Sequence, residues 1–458
     1  MMEAGSMSNP PQGFPTSGAR QPGDASTAVT NAVFSKVSWR ILPLLLIAYM
    51  VAYLDRVNVG YAQLQMKETL PWDVAVYGLG AGIFFIGYFL FEVPSNMLLE
   101  RIGVRKTLLR IMVCWGLIAA GMMFVQTPTQ FYIARFLLGA FEAGFFPGMI
   151  LYFTYWYPST RRGQVIATFM AATTIIGVLA GPLSGATLKY LNGVNGWHGW
   201  QWLFLVQGLP AAVLGVVAFF WLQDKPGSAK WLTHAEKDVI NESFAQEQSS
   251  ATDKAANATH GQLLRDPKTW LLALTYFCLL GASYTMVFWM PTLIQSWGVK
   301  DVLTVGLLAA IPNACGVVGM ILIGRHSDRH RERRLHFAAC TGLAAVCLYA
   351  TTLLQGNLPG SLLALSLGVI GLASATPLFF AMVSEYLPAK VAAIGIALIN
   401  CLGNLGGAFS PYANALLIKQ TGNNTYSMYL VIALYVSAGL LLLLTVRPSP
   451  RHAVPQVA

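Results

Sequence analysis

The sequence predicts an all-α membrane protein of twelve transmembrane helices in two related six-helix halves, with both termini cytoplasmic. Three observations predict it. Apolar runs of about 20 residues, the length that crosses a bilayer, recur along the chain. Hydrophobic residues make up 55% of the chain and charged residues only 10%, against about 25% charged in an ordinary soluble domain. Short residue patterns also return at a near-constant offset in the second half. A soluble fold of this composition would need many buried helices with almost no charged outer face.

The elements follow in order. Residues 1–37 are rich in Pro, Gly, Ser, Thr and Ala and contain no apolar run. They predict a disordered cytoplasmic tail and not a signal peptide, which would start basic and continue apolar. Helices are expected near 38–61, 75–98, 107–125, 130–153, 164–188 and 202–222, forming a first bundle over 38–222. The polar, charged stretch 223–268 reads as a cytoplasmic loop. A second bundle over 269–446 holds helices near 269–294, 302–324, 337–354, 360–385, 392–418 and 424–446, and 447–458 form a cytoplasmic tail.

Lys and Arg set the orientation, because they concentrate in cytoplasmic loops. With both termini inside, 23 of the 29 fall on the cytoplasmic side and four (Lys67, Lys189, Lys300 and Lys419) on the outer side. Arg56 and Arg135 fall inside predicted helices. This distribution accounts for the net charge of +10 without a nucleic-acid partner. The six cysteines lie in apolar segments with no CxxC or metal-ligand spacing, and the seven histidines form no HExxH pattern, so no metal or cofactor is expected.

The halves are related by duplication. After the second helix the chain reads Asn96-x-x-x-Glu100-Arg101-x-Gly103-x-Arg105-Lys106. After the eighth it reads Gly324-x-x-x-Asp328-Arg329-x-x-x-Arg333-Arg334, displaced by 228. Gly177 and Pro182 return as Gly406 and Pro411 at 229, and Pro147 and Pro158 as Pro377 and Pro388 at 230. A six-plus-six duplication is the plan of transporters whose halves rock about a central site.

The acidic-Arg-x-Gly-x-Arg-Lys loop resembles the signature loop of the major facilitator superfamily, with Asn96 in place of its usual Gly and Glu100 in place of Asp. Within that superfamily, Tyr53-Leu-Asp55-Arg56-Val-Asn58, Phe91-Glu92-Val-Pro94-Ser95-Asn96 and Arg135-Phe-Leu-Leu-Gly139-Ala-Phe-Glu142-Ala-Gly144 resemble the anion:cation symporter family. Gln63-Leu-Gln-Met66 and Tyr88-Phe-Leu-Phe-Glu92 are most similar to its branch of tartrate, phthalate and hydroxyphenylacetate permeases. The resemblance implies the major facilitator fold, substrate binding by the two arginines and proton carriage by the two acids.

The residues themselves make a parallel case. A charge at mid-bilayer costs on the order of 2.5–3.5 kcal/mol, so Asp55, Arg56, Arg135 and Glu142 must face the protein interior or a wet cavity. Arg56 lies about five residues before the outer end of its helix and Arg135 about five after the outer start of its own, which at 1.5 Å per residue matches their depths. Glu142, seven residues after Arg135, shares its face near the midplane, and Tyr88 falls at a matching level. Two guanidiniums lining one cavity would attract a carboxylate and grip it bidentately, while Asp55 and Glu142 carry protons. The alternative is two fixed ion pairs.

Further candidates have weaker signals. Tyr53 is a site neighbour, and Tyr284 and Trp289 on the seventh helix are lesser ones. Asn400 and Asn404, at i and i+4, would bind substrate or glue helices together. Glu100, Arg101, Asp328 and Arg329 are expected to act as gate latches, and Glu92 and Glu385 to brace the cytoplasmic side.

The expected function is import of a small organic anion (tartrate, phthalate or an aromatic acid) by proton symport, through an inner-membrane protein working as a monomer. Its partners are the anion, protons and the lipid bilayer. Sodium coupling or anion exchange is the near alternative, and a non-transporting sensor the remote one. No Ser-His, metal or phosphate-binding constellation supports an enzyme.

Overall fold

The computed structural model of the protein describes residues 22–251, 260–387 and 389–446, and among these it contains helices and connecting turns but no strand. In the first half, α1 (Pro22–Val57) continues into α2 (Val59–Thr69) through Asn58, whose φ and ψ of −60° and −28° stay helical. Then come α3 (Val74–Ile102), α4 (Val104–Gly121), α5 (Pro128–Glu142), α6 (Phe145–Trp156), α7 (Ser159–Tyr190) and α8 (Gly199–Trp221). Two helices follow in the middle of the chain, α9 (His234–Ala251) and α10 (His260–Arg265). The second half holds α11 (Pro267–Ser296), α12 (Val302–His330), α13 (Arg334–Leu353), α14 (Leu358–Tyr386), α15 (Ala389–Thr421) and α16 (Asn424–Thr445). With α1–α2 and α5–α6 each counted as one span, twelve helices are long and apolar enough to cross a membrane.

Local sequence sets where the spans begin. Their first N–H groups lack intrahelical partners, and Asp, Thr and Asn side chains supply them. Asp73 accepts from Ala75 N at 3.1 Å, Asp301 from Thr304 N at 3.1 Å and Asn423 from Thr425 N at 2.8 Å. Thr127 and Gln130 form a reciprocal capping box, with Pro128 pre-set for the first turn.

Two expectations need correction. The segment expected to be a disordered tail to residue 37 is helical from Pro22, and residues 1–21 lie outside those described. Val33, Phe34 and Val37 sit one helical turn apart and are buried, and Lys36 pairs with Glu236 of α9 at 2.7 Å, so helix formation there is rewarded by packing. The central segment is likewise no plain loop. It carries α9, whose Ile240 is buried, and just before it Trp231 stacks on Trp156 of α6 at 5.7 Å.

The fourth span breaks between α5 and α6. Ala143 leaves the helical region (ψ 133°) and Gly144 turns left-handed (φ +88°), and a Cβ at Gly144 would collide with Ser95 of α3. Non-helical backbone inside a membrane is tolerated where protein or a wet cavity surrounds it. The break puts Glu142 at the end of a half-helix in the middle of the molecule.

Twelve crossings bring both described chain ends to the face that also bears α9 and α10, here termed the loop face. At the opposite face the two halves pack together, α3 on α15, α7 on α12 and α2 on α11. The α7–α12 contact depends on Gly181 and Gly306, since a Cβ on either would collide with the carbonyl of the other.

Candidate functional site

Arg56 and Arg135 lie against the ring of Phe84, with Glu142 paired to Arg56 and Asp55 within Coulombic reach of Arg135. Arg56, from the end of α1, spans two partners. Its Nη2 forms an ion pair with Glu142 Oε1 at the α5 break, and its Nη1 donates to Tyr284 Oη of α11 at 3.0 Å. One guanidinium therefore bridges a carboxylate of the first half and a hydroxyl of the second. Its side chain keeps 16% of its surface exposed, against 2% for Glu142. Tyr284 is held in turn against Phe85, with ring centres 4.4 Å apart.

Asp55 points the other way, into the first half. Trp115 Nε1 of α4 donates to its Oδ2, and Asn58 Nδ2 donates to its Oδ1 at 2.9 Å. No direct ion pair joins Asp55 to an arginine among the described residues. Arg135 is buried, donates from Nε to the Gly80 carbonyl at 3.1 Å, and leaves Nη2 without a partner. It interacts through space with Asp55, Glu142 and Arg56. The Arg56 and Arg135 guanidiniums lie 5.5 and 4.9 Å from the centre of the Phe84 ring, and Arg56 is also 5.5 Å from the Tyr88 ring. Such placements are favourable by about 0.5–2 kcal/mol each. They also fix both cations against one aromatic wall, so Arg135 is covered while Arg56 is the guanidinium with open surface.

The remaining candidates are placed as follows. Tyr53 is half-buried and lines a small cavity of about 30 Å³ with Tyr61, Met290 and Asn313. Tyr88 is buried one turn after Phe84. Asn400 and Asn404 are half-buried on α15, and their side chains form no hydrogen bond among the described residues. Trp289 is buried. In the signature loops, Glu100, Arg101 and Arg329 are exposed and make no ion pair among the described residues. Asp328 pairs with Arg333 at 3.2 Å, and Arg333 also reaches Glu385 at 2.5 Å. Arg105 and Arg334, at nearly matching places in the two loops, hydrogen-bond to the Phe219 and Leu443 carbonyls at 2.6 and 2.7 Å. Each thereby ties its loop to the last span of its own half.

Sequence reasoning missed Phe84 and Trp115, which carry no local signal, and it missed the ion pairs at the opposite face. There, Lys189 of α7 meets Asp301 before α12 at 2.9 Å, and Lys419 of α15 meets Asp73 before α3 at 2.6 Å. The two pairs are duplicates, since Asp73 and Asp301 stand 228 apart and Lys189 and Lys419 stand 230 apart. Among the described residues no ion pair joins the halves at the loop face, so this is a state held shut at the opposite face. Hydrogen bonds from Lys419 and from the Ala75 N–H hold the Asp73 carboxyl below the usual carboxylate range, and those from Lys189 and Thr304 do the same for Asp301. A depressed carboxyl contributes stability above its ordinary pKa and loses it as pH falls through the lowered one. The latches therefore hold through the neutral range and loosen only in strong acid.

Exposed pairs are individually weak, because water and salt screen them and both long side chains must be held in place. Asp73→Asn or Asp301→Asn alone is expected to shift the balance of states slightly, and the double variant by up to about tenfold. Spin-label distances between the opposite-face ends of α7 and α12 report this, and an unchanged distribution in the double variant would remove the latch role.

Comparison with known proteins agrees with this architecture. The sequence pattern of the Major Facilitator Superfamily matches residues 45–411 and, in a second match, 301–457. The chain is 42% identical over 414 residues to "Putative metabolite transport protein NicT" of Pseudomonas putida, covering 90% of this chain and 93% of that protein. It is 40% identical over 443 residues to "Putative tartrate transporter" of Agrobacterium vitis, covering 96% and 97%. Among solved structures, a bacterial homolog to the human lysosomal transporter Spinster in an inward-facing and occupied conformation superposes with a TM-score of 0.73 at 15% identity, over 88% of this chain and 96% of that one. Two six-span halves, a charged site at their interface and these relatives together place the chain in the major facilitator superfamily, as a multi-pass inner-membrane transport protein and not an enzyme.

Proposed function

We propose that this transporter imports a small carboxylate with protons, with its loop face in the cytoplasm and the bundles 38–222 and 269–446 rocking as units within a monomer. The observation that carries the reading is Arg56, a partly open guanidinium shared between Glu142 of one half and Tyr284 of the other. The relative named as a tartrate transporter supports a carboxylate as cargo.

A coupling rule follows from this reading. With Glu142 ionised, Arg56 is neutralised and has little use for a second anion. A proton on Glu142 leaves the half-buried Arg56 without its counter-charge, which is unfavourable, and a substrate carboxylate offsets that cost by taking the vacated place bidentately. Proton without substrate and substrate without proton are both disfavoured, so the two travel together. Asp55, held by Trp115 and Asn58 and within Coulombic reach of Arg135, is the second proton site in this reading. Tyr53, Tyr88, Asn400 and Asn404 supply hydroxyl and amide contacts around the bound acid. Glu100, Arg101, Asp328 and Arg329, which make no ion pair across the halves among the described residues, would engage when the loop face closes.

The test is uptake of labelled tartrate, phthalate and hydroxyphenylacetate by proteoliposomes. An inward proton gradient is expected to concentrate at least one of them, and a protonophore to abolish that accumulation. Accumulation driven by a sodium gradient at equal pH would replace proton with sodium coupling. Binding of an acid without flux would make the protein a sensor.

A further inference from the structure

Glu92 is a carboxylate that neither the ion pairs nor the proposed binding step uses. It lies on α3, four residues after Tyr88, and thus about 6 Å nearer the loop face. It is half-buried, and its Oε2 is sealed from solvent without a hydrogen-bond partner. A buried oxygen left unsatisfied is uncommon and calls for a physical account. The groups that face it are few: Cys401 of α15, from the other half, and Arg56 of α1 act on it through space, and Tyr88 is the titratable neighbour on its own helix. Among the described residues no cation lies close enough to make it half of a fixed salt bridge.

We infer that Glu92 is the exit relay for the coupled proton, standing level with Glu142, since Gly139 packs on Tyr88 and Gly144 on Ser95, at the seam between α3 and α15 that leads to the loop face. The inference rests on the proton-coupled reading above. The sequence balances simply. Protonated Glu142 gives up its proton as the substrate leaves, Glu142 regains Arg56 as its partner, and Glu92 takes the proton with Oε2 as the open acceptor. Neutral Glu92 then returns the proton to water at the loop face, where the two halves are not joined by ion pairs among the described residues. Its position between the halves, against Cys401, confines the relay to states in which α3 and α15 stand as they do here.

The experiment compares wild type, Glu92→Gln and Glu92→Asp in proteoliposomes, each measured for substrate counterflow and for uptake driven by a proton gradient. Glu92→Gln is expected to keep counterflow within about twofold and to lose about tenfold or more in driven uptake, the scale of a positioned proton-transfer group. Glu92→Asp is expected to recover part of the loss. Driven uptake at the wild-type rate in Glu92→Gln overturns the relay while leaving proton coupling intact. Equal loss of counterflow and driven uptake in both variants also overturns it, because that is the mark of a packing residue. Absence of proton-driven uptake in the wild type sinks the underlying reading and the relay with it.

Discussion

Arg56→Lys is expected to lower uptake at subsaturating substrate by about 10- to 100-fold, at equal expression. The guanidinium uses two different nitrogens, Nη2 toward Glu142 and Nη1 toward Tyr284. Lysine offers one compact charge on a flexible stem and cannot reproduce a planar fork across two elements. A hydrogen bond to a charged group is worth about 1.5–3 kcal/mol, and each 1.4 kcal/mol is about tenfold in affinity. The loss should appear mainly as weakened substrate affinity, since the substituted ammonium would still neutralise Glu142 and permit folding. Arg135→Lys makes an instructive contrast. Arg135 is covered by Phe84 and bonded to the Gly80 carbonyl, so its replacement should disturb the position of Phe84 and the field on Asp55 more than direct contact with substrate. Comparing half-saturation and maximal rate for the two variants separates these roles. Unchanged affinity in Arg56→Lys would remove the anion site from Arg56.

Which parts of this arrangement are legible in the chain follows from the range of the forces involved. The twelve spans are legible because bilayer crossing imposes a run of apolar residues on each one. The break after Glu142 is not, because Gly144 looks like any small residue in an apolar run until Ser95 of α3 is seen against it. The helical start of α1 was hidden by the Pro- and Gly-rich residues before it, and Val33, Phe34 and Val37 become a signal only with a surface to pack on. Matched depth brought Arg56 and Arg135 to one level, with Glu142 nearer the midplane on the Arg135 face, but depth says nothing of azimuth. Hence the choice of partner, Glu142 for Arg56 and Trp115 for Asp55, needed the three-dimensional placement of these side chains. The opposite-face latches were within reach of sequence reasoning. The offset that relates the signature loops also relates Asp73 to Asp301, and these aspartates precede spans where helix capping already singles them out.

Glu142→Gln is expected to spare exchange of substrate for substrate and abolish its accumulation on a proton gradient. Gln is close in shape to a protonated Glu and can still accept a hydrogen bond from Arg56, while it cannot ionise. The variant is thus locked in the form in which Arg56 is free to hold the substrate carboxylate. Exchange requires only that the loaded carrier shuttle between its two states, so counterflow should persist. Net uptake requires the empty carrier to return with Glu142 ionised on Arg56, and that step has lost its ion pair. The competing reading takes the Arg56–Glu142 pair as a fixed brace between α1 and the α5 break. Removing one partner of a buried pair typically costs about 3–5 kcal/mol, because the other charge stays buried without compensation. Folding, binding and both transport modes should then fail together. Asp55→Asn should show the split less cleanly, because Asp55 also anchors Trp115 of α4 and Asn58, and its loss weakens both anchors. Counterflow and proton-driven uptake measured on the same liposomes decide between the readings. If Glu142→Gln still concentrates substrate on a pH difference, Glu142 is not the obligatory proton carrier. The coupling must then pass through Asp55, whose partners Trp115 and Asn58 leave it independent of Arg56.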